Sequence, residues 1–208
     1  MASAGINKDG PGRLDLGGAN DFAGPVLVTN GVLRALTASA LATMQTAALT
    51  ITAGPPGHLV INEIDYDQPS SDTAEFIELY NGGDTAVDLS TVAVVLVNGT
   101  GSAEYGRVVL SGSLASHAYL IVAPTAATTL MVPAGVMRVN FPSSVSGIQN
   151  GAPDGVALYD TVRGVLLDAL SYEGAIMDAS ISGHTLSLVE GMMCTAIDSG
   201  AGSLARIP

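Results

Sequence analysis

From residue 58 onward the chain is a succession of short apolar runs, each cut off within a few residues by Gly, Asn, Asp or Pro. The runs are "HLVINEIDY", "AEFIELYN", "VAVVLVNG", "EYGRVVL", "AYLIVA", "MRVNF", "GVALYD", "VLLDALSYEG" and "HTLSLVEG", with "GGDTAVDLS" as a turn and a short extension. Punctuation at this spacing predicts short antiparallel strands packed as a two-layer sandwich. "YDTVRGVLLD" reads as a hairpin with Arg163-Gly164 at or near its tip.

Composition narrows the function. Charged residues make up 12% of the 208, about half the usual share. The formal charge is −12, with only seven Lys and Arg. DNA, RNA and anionic lipid surfaces would be repelled, since binding them relies on basic side chains. A cation is the charged partner such a chain favours. Cys194 is the single cysteine, which rules out an internal disulfide. The most apolar long stretch, "VLRALTASALATMQTAALTITA", carries Arg34 and many Thr and Ser, so no transmembrane helix is expected. The opening "MASAGINKDGPG" has no export signal pattern. Either the chain stays in the cytoplasm or its export signal lies outside this sequence.

Two compositional regions meet at "AGPPGH", where Pro55-Pro56-Gly57 can continue neither a helix nor a central strand. The expected units are 1–55 and 56–208. In the first, Leu14 and Leu16 alternate with polar neighbours, and Asn30-Gly31 signals a tight turn. That pattern fits a β-solenoid rung or a hairpin. The segment 32–49 stays open between helix and strand. On Lys8, Gly10, Gly12, Leu14, Leu16, Gly18, Ala19, Asn20, Phe22, Gly24, Asn30, Gly31 and Leu33, residues 6–35 resemble the autotransporter-associated β-strand repeat. The resemblance implies a rung of a right-handed β-helix in a secreted or surface-displayed passenger. Solenoid rungs depend on stacked neighbours.

The second region also resembles a known family. "VINEIDYDQPSSDTAEFIELYNGGDTAVDLS", "VVLVNG", "GSLASHAYLIVA", "NGAPDGVALYD", "LLDALSYEG" and "GSLARIP" occur in the order of the bacterial lamin-tail domain, over residues 59–208. The resemblance implies an immunoglobulin-like β-sandwich. Two departures stand out. Thr91-Val92 replaces the Gly-aromatic pair often found there, and family members run on past a "SLARIP"-like stretch. The expectation is a domain truncated at its C-terminus, with an open sheet edge through which copies could self-associate.

The candidate chemistry lies in residues 61–79, which hold six of the nineteen acidic residues: Glu63, Asp65, Asp67, Asp72, Glu75 and Glu78. In "AEFIELYN" alternation puts Glu75 and Glu78 on opposite faces, so they are no paired acid and base. Asp65, Asp67, Asp72 and Glu75 could converge at the strand ends, with Asp154 joining from a second turn. Hard carboxylate and carbonyl oxygens suit Ca²⁺, and a cation would relieve their mutual repulsion. The other reading is a solvated acidic loop end that discourages edge-to-edge aggregation. His58, His117 and His184 lack ligand spacing, and no nucleophile elbow or phosphate loop occurs. Met192-Met193-Cys194 is read as filler rather than a soft metal site. The six tyrosines are read as core or rim residues.

The sequence therefore predicts an all-β chain: an immunoglobulin-like antiparallel sandwich preceded by a short β-solenoid-like segment. It is expected to be a non-enzymatic structural, adhesion or interaction module of a secreted or cell-surface bacterial protein, meeting a protein or cell-surface partner. No catalytic residue and no cofactor beyond Ca²⁺ is expected. The alternative is an accessory domain of an exported metal-dependent hydrolase, a nuclease or phosphatase.

Overall fold

The computed structural model describes residues 6–8, 13–17, 26–28, 32–36, 49–51, 59–189, 194, 196–198, 200 and 202–206. Every regular element among them is a strand, and no helix is long and apolar enough to cross a membrane. The chain divides into two compact units, Met1–Gly57 and His58–Pro208.

In the first unit β1 (Ile6–Lys8), β3 (Val26–Val28) and β5 (Leu49–Ile51) lie side by side in parallel. So do β2 (Arg13–Leu16) and β4 (Val32–Ala35). The strands flanking Asn30-Gly31 do not pair with each other. Each pairs with the strand one coil away, which is solenoid geometry rather than a hairpin. Val26 is fully buried between β1 and β5. Asp15 and Arg34 are cross-strand partners on β2 and β4, and the guanidinium donates two hydrogen bonds to the carboxylate at 3.0 and 2.8 Å. The earlier ambiguity over 32–49 resolves to strand at β4 and at the start of β5; residues 37–48 lie outside the described residues.

The second unit is the sandwich. One sheet runs in the order β13 (Met137–Asn140), β12 (Tyr119–Ala123), β7 (Phe76–Asn81), β6 (Leu59–Asp65), β18 (Leu204–Ala205). The other runs β15 (Val165–Tyr172), β14 (Asp154–Asp160), β9 (Val92–Asn98), β10 (Ala103–Val109), β16 (Ala179–Ile181), β17 (His184–Leu186). A short ribbon, β8 (Val87–Asp88) with β11 (Ser113–Leu114), closes one side. Pairing is antiparallel except for β12 with β13 and β10 with β16.

Period-two alternation builds the core, broken once in β6 by a register shift between Ile61 and Glu63 that brings Ile64 to the same face as Ile61. Ile61, Ile64, Ile77, Leu79, Leu120 and Val122 point inward from one sheet against Val92, Val94, Leu96, Val156 and Leu158 of the other. β9 is apolar on both faces for a reason. Ala93, Val95 and Val97 join Tyr159, Ile176, Ile181 and Leu188 in a second cluster on the outer side of the six-stranded sheet. That second layer makes β9 a fully buried central strand.

One edge of the five-stranded sheet is formed by β18, with Leu204 opposite Ile64 and Ala205 opposite Glu63. The Arg206 N–H continues the ladder to the Asn62 carbonyl at 2.7 Å. Asp168 then clasps the two sheets. From β15 its buried carboxylate accepts the Ile61 N–H of β6 at 2.7 Å and two hydrogen bonds from one Arg206 guanidinium nitrogen at 2.9 and 2.7 Å, while Arg206 Nε donates to the Ile61 carbonyl at 3.1 Å.

Candidate functional site

The loops 66–75, 99–102, 141–153 and 173–178 converge at one end of the sandwich. Tyrosines knit them together from below. Tyr66 and Tyr172 are buried and stack with ring centroids 4.3 Å apart. The Tyr172 hydroxyl donates to the Gln149 carbonyl at 2.7 Å, and the Gln149 N–H donates to the Tyr105 hydroxyl at 2.8 Å. The Tyr66 hydroxyl donates to Glu173 at 2.9 Å and accepts the Asp198 N–H at 2.8 Å. Asp198 in turn accepts the Tyr66 N–H at 3.1 Å, which ties the C-terminal segment to the end of β6. Burial holds all three phenols protonated well above their usual range.

Gln68 organises the acidic loop. Its side chain donates to Asp65 and accepts the Ala74 N–H, while its own N–H donates to Asp72 at 3.1 Å. Burial raises the pKa of Asp65; the Gln68 hydrogen bond opposes it, and Asp198 and Glu63 add to it. Glu63 and Glu78 are direct cross-strand partners, a like-charge pair. Ser203 donates to Glu63, and the Asn62 amide donates to Glu78 at 2.7 Å.

Glu75 is the exception to a solvated loop. It precedes β7 and turns inward, and only 1% of its surface stays exposed. One carboxyl oxygen accepts the Ile148 N–H at 3.1 Å. Gly147 makes room, since a Cβ there would stand 3.0 Å from the same oxygen. Glu75 shares a cavity of about 440 Å³ with Asp72, Tyr105 and Gln149. Burial raises its pKa to about 8, against the Ile148 hydrogen bond and helped by the nearby charges of Asp72, Asp65 and Asp67. The sign of the pH dependence follows. Stability from the neutral carboxyl is present in full below the ordinary value of 4.5 and is lost as pH climbs to about 8. Glu75→Gln keeps an acceptor for Ile148 without the charge. At pH 9 it should melt about 3 °C or more above the wild type, and at pH 4 the two should coincide. Calorimetric melts at both pH values check this; a variant that melts lower at pH 9 contradicts it.

Asp154 stands apart from these four. It begins β14, and a second, smaller cavity of about 170 Å³ lies beside it, lined also by Asn98, Thr100, Gln149 and Gly151. Burial raises its pKa against the pull of the Gly99 and Gly151 N–H groups, and Glu173 is the charge that adds to the rise. Among the described residues no three Asp, Glu, His or Cys side chains gather as a metal-holding group. His117 sits at the far end of β7, 3.1 Å from the Tyr80 hydroxyl and 3.4 Å from Asp84. His184 begins β17, beside Gly164. His58, Met192 and Met193 lie outside the described residues. Among the described residues, the loop end assembles buried phenols and carboxyls.

Sequence reasoning did not single out Gln149, Asp168 or Asp198. Gln149 carried a faint signal: it sits beside the turn "NGAPDG", where a side chain is free to fold back under the loop. Asp168 interrupts the run "VLLDALSY" as a lone charge, which marks a buried partner without naming it.

These features define an immunoglobulin-like sandwich joined to a parallel solenoid segment. The lamin tail domain family model matches residues 52–174, more than half of the chain, and the protein belongs to that family. A second model, the passenger-associated transport repeat, matches residues 6–35. Both are non-catalytic types of module, structural or interaction units. No curated protein matches the chain.

Proposed function

We propose that the chain is a non-enzymatic interaction module displayed outside a bacterial cell, with the sandwich as the unit that meets the partner. The observation that carries this reading is the presence of a passenger repeat and a lamin-tail sandwich in one chain. The loops at the sandwich ends supply a surface for a protein or cell-surface partner, as loops on rigid scaffolds commonly do. The acidic surface favours partners that are basic or cation-bridged.

The test is display. Intact cells producing the protein are treated with a protease and probed with an antibody against the sandwich. Loss of the signal from unbroken cells is the expected result. A signal that survives until the cells are lysed overturns the reading. Purified protein incubated with phosphoester substrates and Mg²⁺, Mn²⁺, Zn²⁺ or Ca²⁺ should show no turnover; metal-dependent hydrolysis would favour the hydrolase alternative.

A further inference from the structure

The small cavity beside Asp154 holds two acceptors with nothing to accept. Asp154 is only 2% exposed. One carboxylate oxygen, Oδ1, takes the Gly99 N–H at 3.3 Å. The other, Oδ2, is buried and has no hydrogen-bond partner. A backbone N–H of Gly151 also interacts with the carboxylate and lowers its pKa, though it falls outside hydrogen-bond geometry to Oδ2. The side-chain oxygen of Gln149, Oε1, is buried and unpartnered as well. Among the described residues these two are the only such side-chain atoms; both belong to residues lining this cavity, and Gln149 lines the Glu75 cavity as well.

A buried acceptor without a donor costs free energy, and a buried carboxylate oxygen costs the most. Such an acceptor is met by a water, a proton or a cation, and the charge of the carboxylate favours the cation. The two oxygens here are hard: a carboxylate and an amide carbonyl, in loops rich in further carbonyls. Glu173 adds a second negative charge to the neighbourhood. Such donors match Ca²⁺, which takes carboxylate, amide and backbone oxygens together in irregular geometry. Mg²⁺ fits less well, because it demands near-ideal octahedral geometry and dehydrates reluctantly.

We propose that this cavity binds a calcium ion through Asp154 Oδ2 and Gln149 Oε1, with backbone carbonyls of the 98–100 and 149–153 loops and water completing the shell. The site is distinct from the carboxylates of the 66–75 loop. It also does not depend on where the protein is displayed. With one charged ligand, its dissociation constant belongs in the range of extracellular modules, on the order of 10⁻⁴–10⁻³ M. The ion would lock the 149–154 loop to the turn after β9.

Thermal melts with CaCl₂, with MgCl₂ and with chelator test this directly. Wild-type protein should gain about 3–5 °C at Ca²⁺ tenfold above the dissociation constant, and less with Mg²⁺. Asp154→Asn keeps an acceptor for Gly99. In chelator it should melt within about 2 °C of the wild type, and in Ca²⁺ it should lose the gain. Gln149→Ala should weaken Ca²⁺ binding about tenfold and serves as the second variant if Asp154→Asn does not fold. Terbium adds a direct readout: the chain has no Trp, and Tyr105 and Tyr172 both hydrogen-bond to the Gln149 backbone. Tyrosine-sensitised terbium emission should be displaced by Ca²⁺ and absent in Asp154→Asn. The proposal is overturned if Ca²⁺ leaves the wild-type melt unmoved. It is equally overturned if the gain survives in Asp154→Asn and disappears in Asp72→Asn, which would move the ion to the Glu75 cavity.

Discussion

Asp168→Ala should lower the melting midpoint of the sandwich by about 10 °C, from a loss of ~3–5 kcal/mol. The substitution removes the acceptor of the buried Ile61 N–H and leaves the Arg206 guanidinium only its hydrogen bond to the Ile61 carbonyl. An orphaned buried donor costs the full desolvation penalty, and water cannot easily reach this one. Asp168→Asn keeps an acceptor for Ile61 and should fall between the two. Scanning calorimetry of the three proteins is the measurement. A midpoint for Asp168→Ala within about 2 °C of the wild type would mean that the clasp contributes little. Arg206→Ala tests the same clasp from the other side, since it strands a carboxylate that is 3% exposed. Combining it with Asp168→Ala should cost less than the sum of the single losses, because the partners act as a unit.

Gly99→Ala should be nearly as damaging, with ~3 kcal/mol lost to overpacking and a midpoint about 6–12 °C lower. A Cβ on Gly99 would stand 2.1 Å from the Pro153 carbonyl oxygen and 2.5 Å from its ring. The carbonyl is backbone, so no side-chain rotation relieves the clash. Gly174 closes the slot on the other side, where a Cβ would meet the Pro153 Cβ at 2.8 Å. The loop must then move away from the turn, and two hydrogen bonds from the Gly99 N–H stretch with it: 2.9 Å to Pro153 and 3.3 Å to Asp154. Gly101→Ala is the control. A Cβ there meets nothing within 4 Å, and only its positive φ of 95° opposes the substitution. Circular-dichroism melts should rank Gly99→Ala well below Gly101→Ala. The opposite order would show that backbone conformation rather than crowding makes glycine necessary in this turn.

Much of the architecture could be read from residue order alone. Alternation in "FIELYN" places one set of side chains inward, and the observed burial follows it; "YLIVA" is buried on both faces after Tyr119, because Ile121 and Ala123 pack with Ala127 in a third cluster. The unbroken run "VAVVLVN" was readable as a strand, but its second buried face was not. The cover comes from Ile176, Ile181 and Leu188, far along the chain, and periodicity within a run does not say which distant residues fold over it. β16 and β18 escaped notice because two or three residues carry no period. The site was legible only in outline. Acidic crowding around residues 61–79 is plain from composition, yet spacing could not say that Glu75 turns inward while Asp72 stays at the rim. That difference depends on Gly147 and the Ile148 N–H, which a distant loop supplies. Asp154 was grouped with the 66–75 carboxylates because both flank turns. Its true neighbours, Gln149 and Glu173, are set by the register of β14 against β15.

The clasp also bears on mechanics. β6 and β18 run antiparallel, so the backbone at Leu59 and at Arg206 leaves the sheet from the same corner. A pull between those two points would strain the ladder bonds one after another, as in unzipping, instead of shearing them together. The first rupture would meet Arg206 and Asp168 at the mouth of the zipper. Under tension this corner would act as a fuse, releasing the terminal segment while the paired layers behind it stay shut.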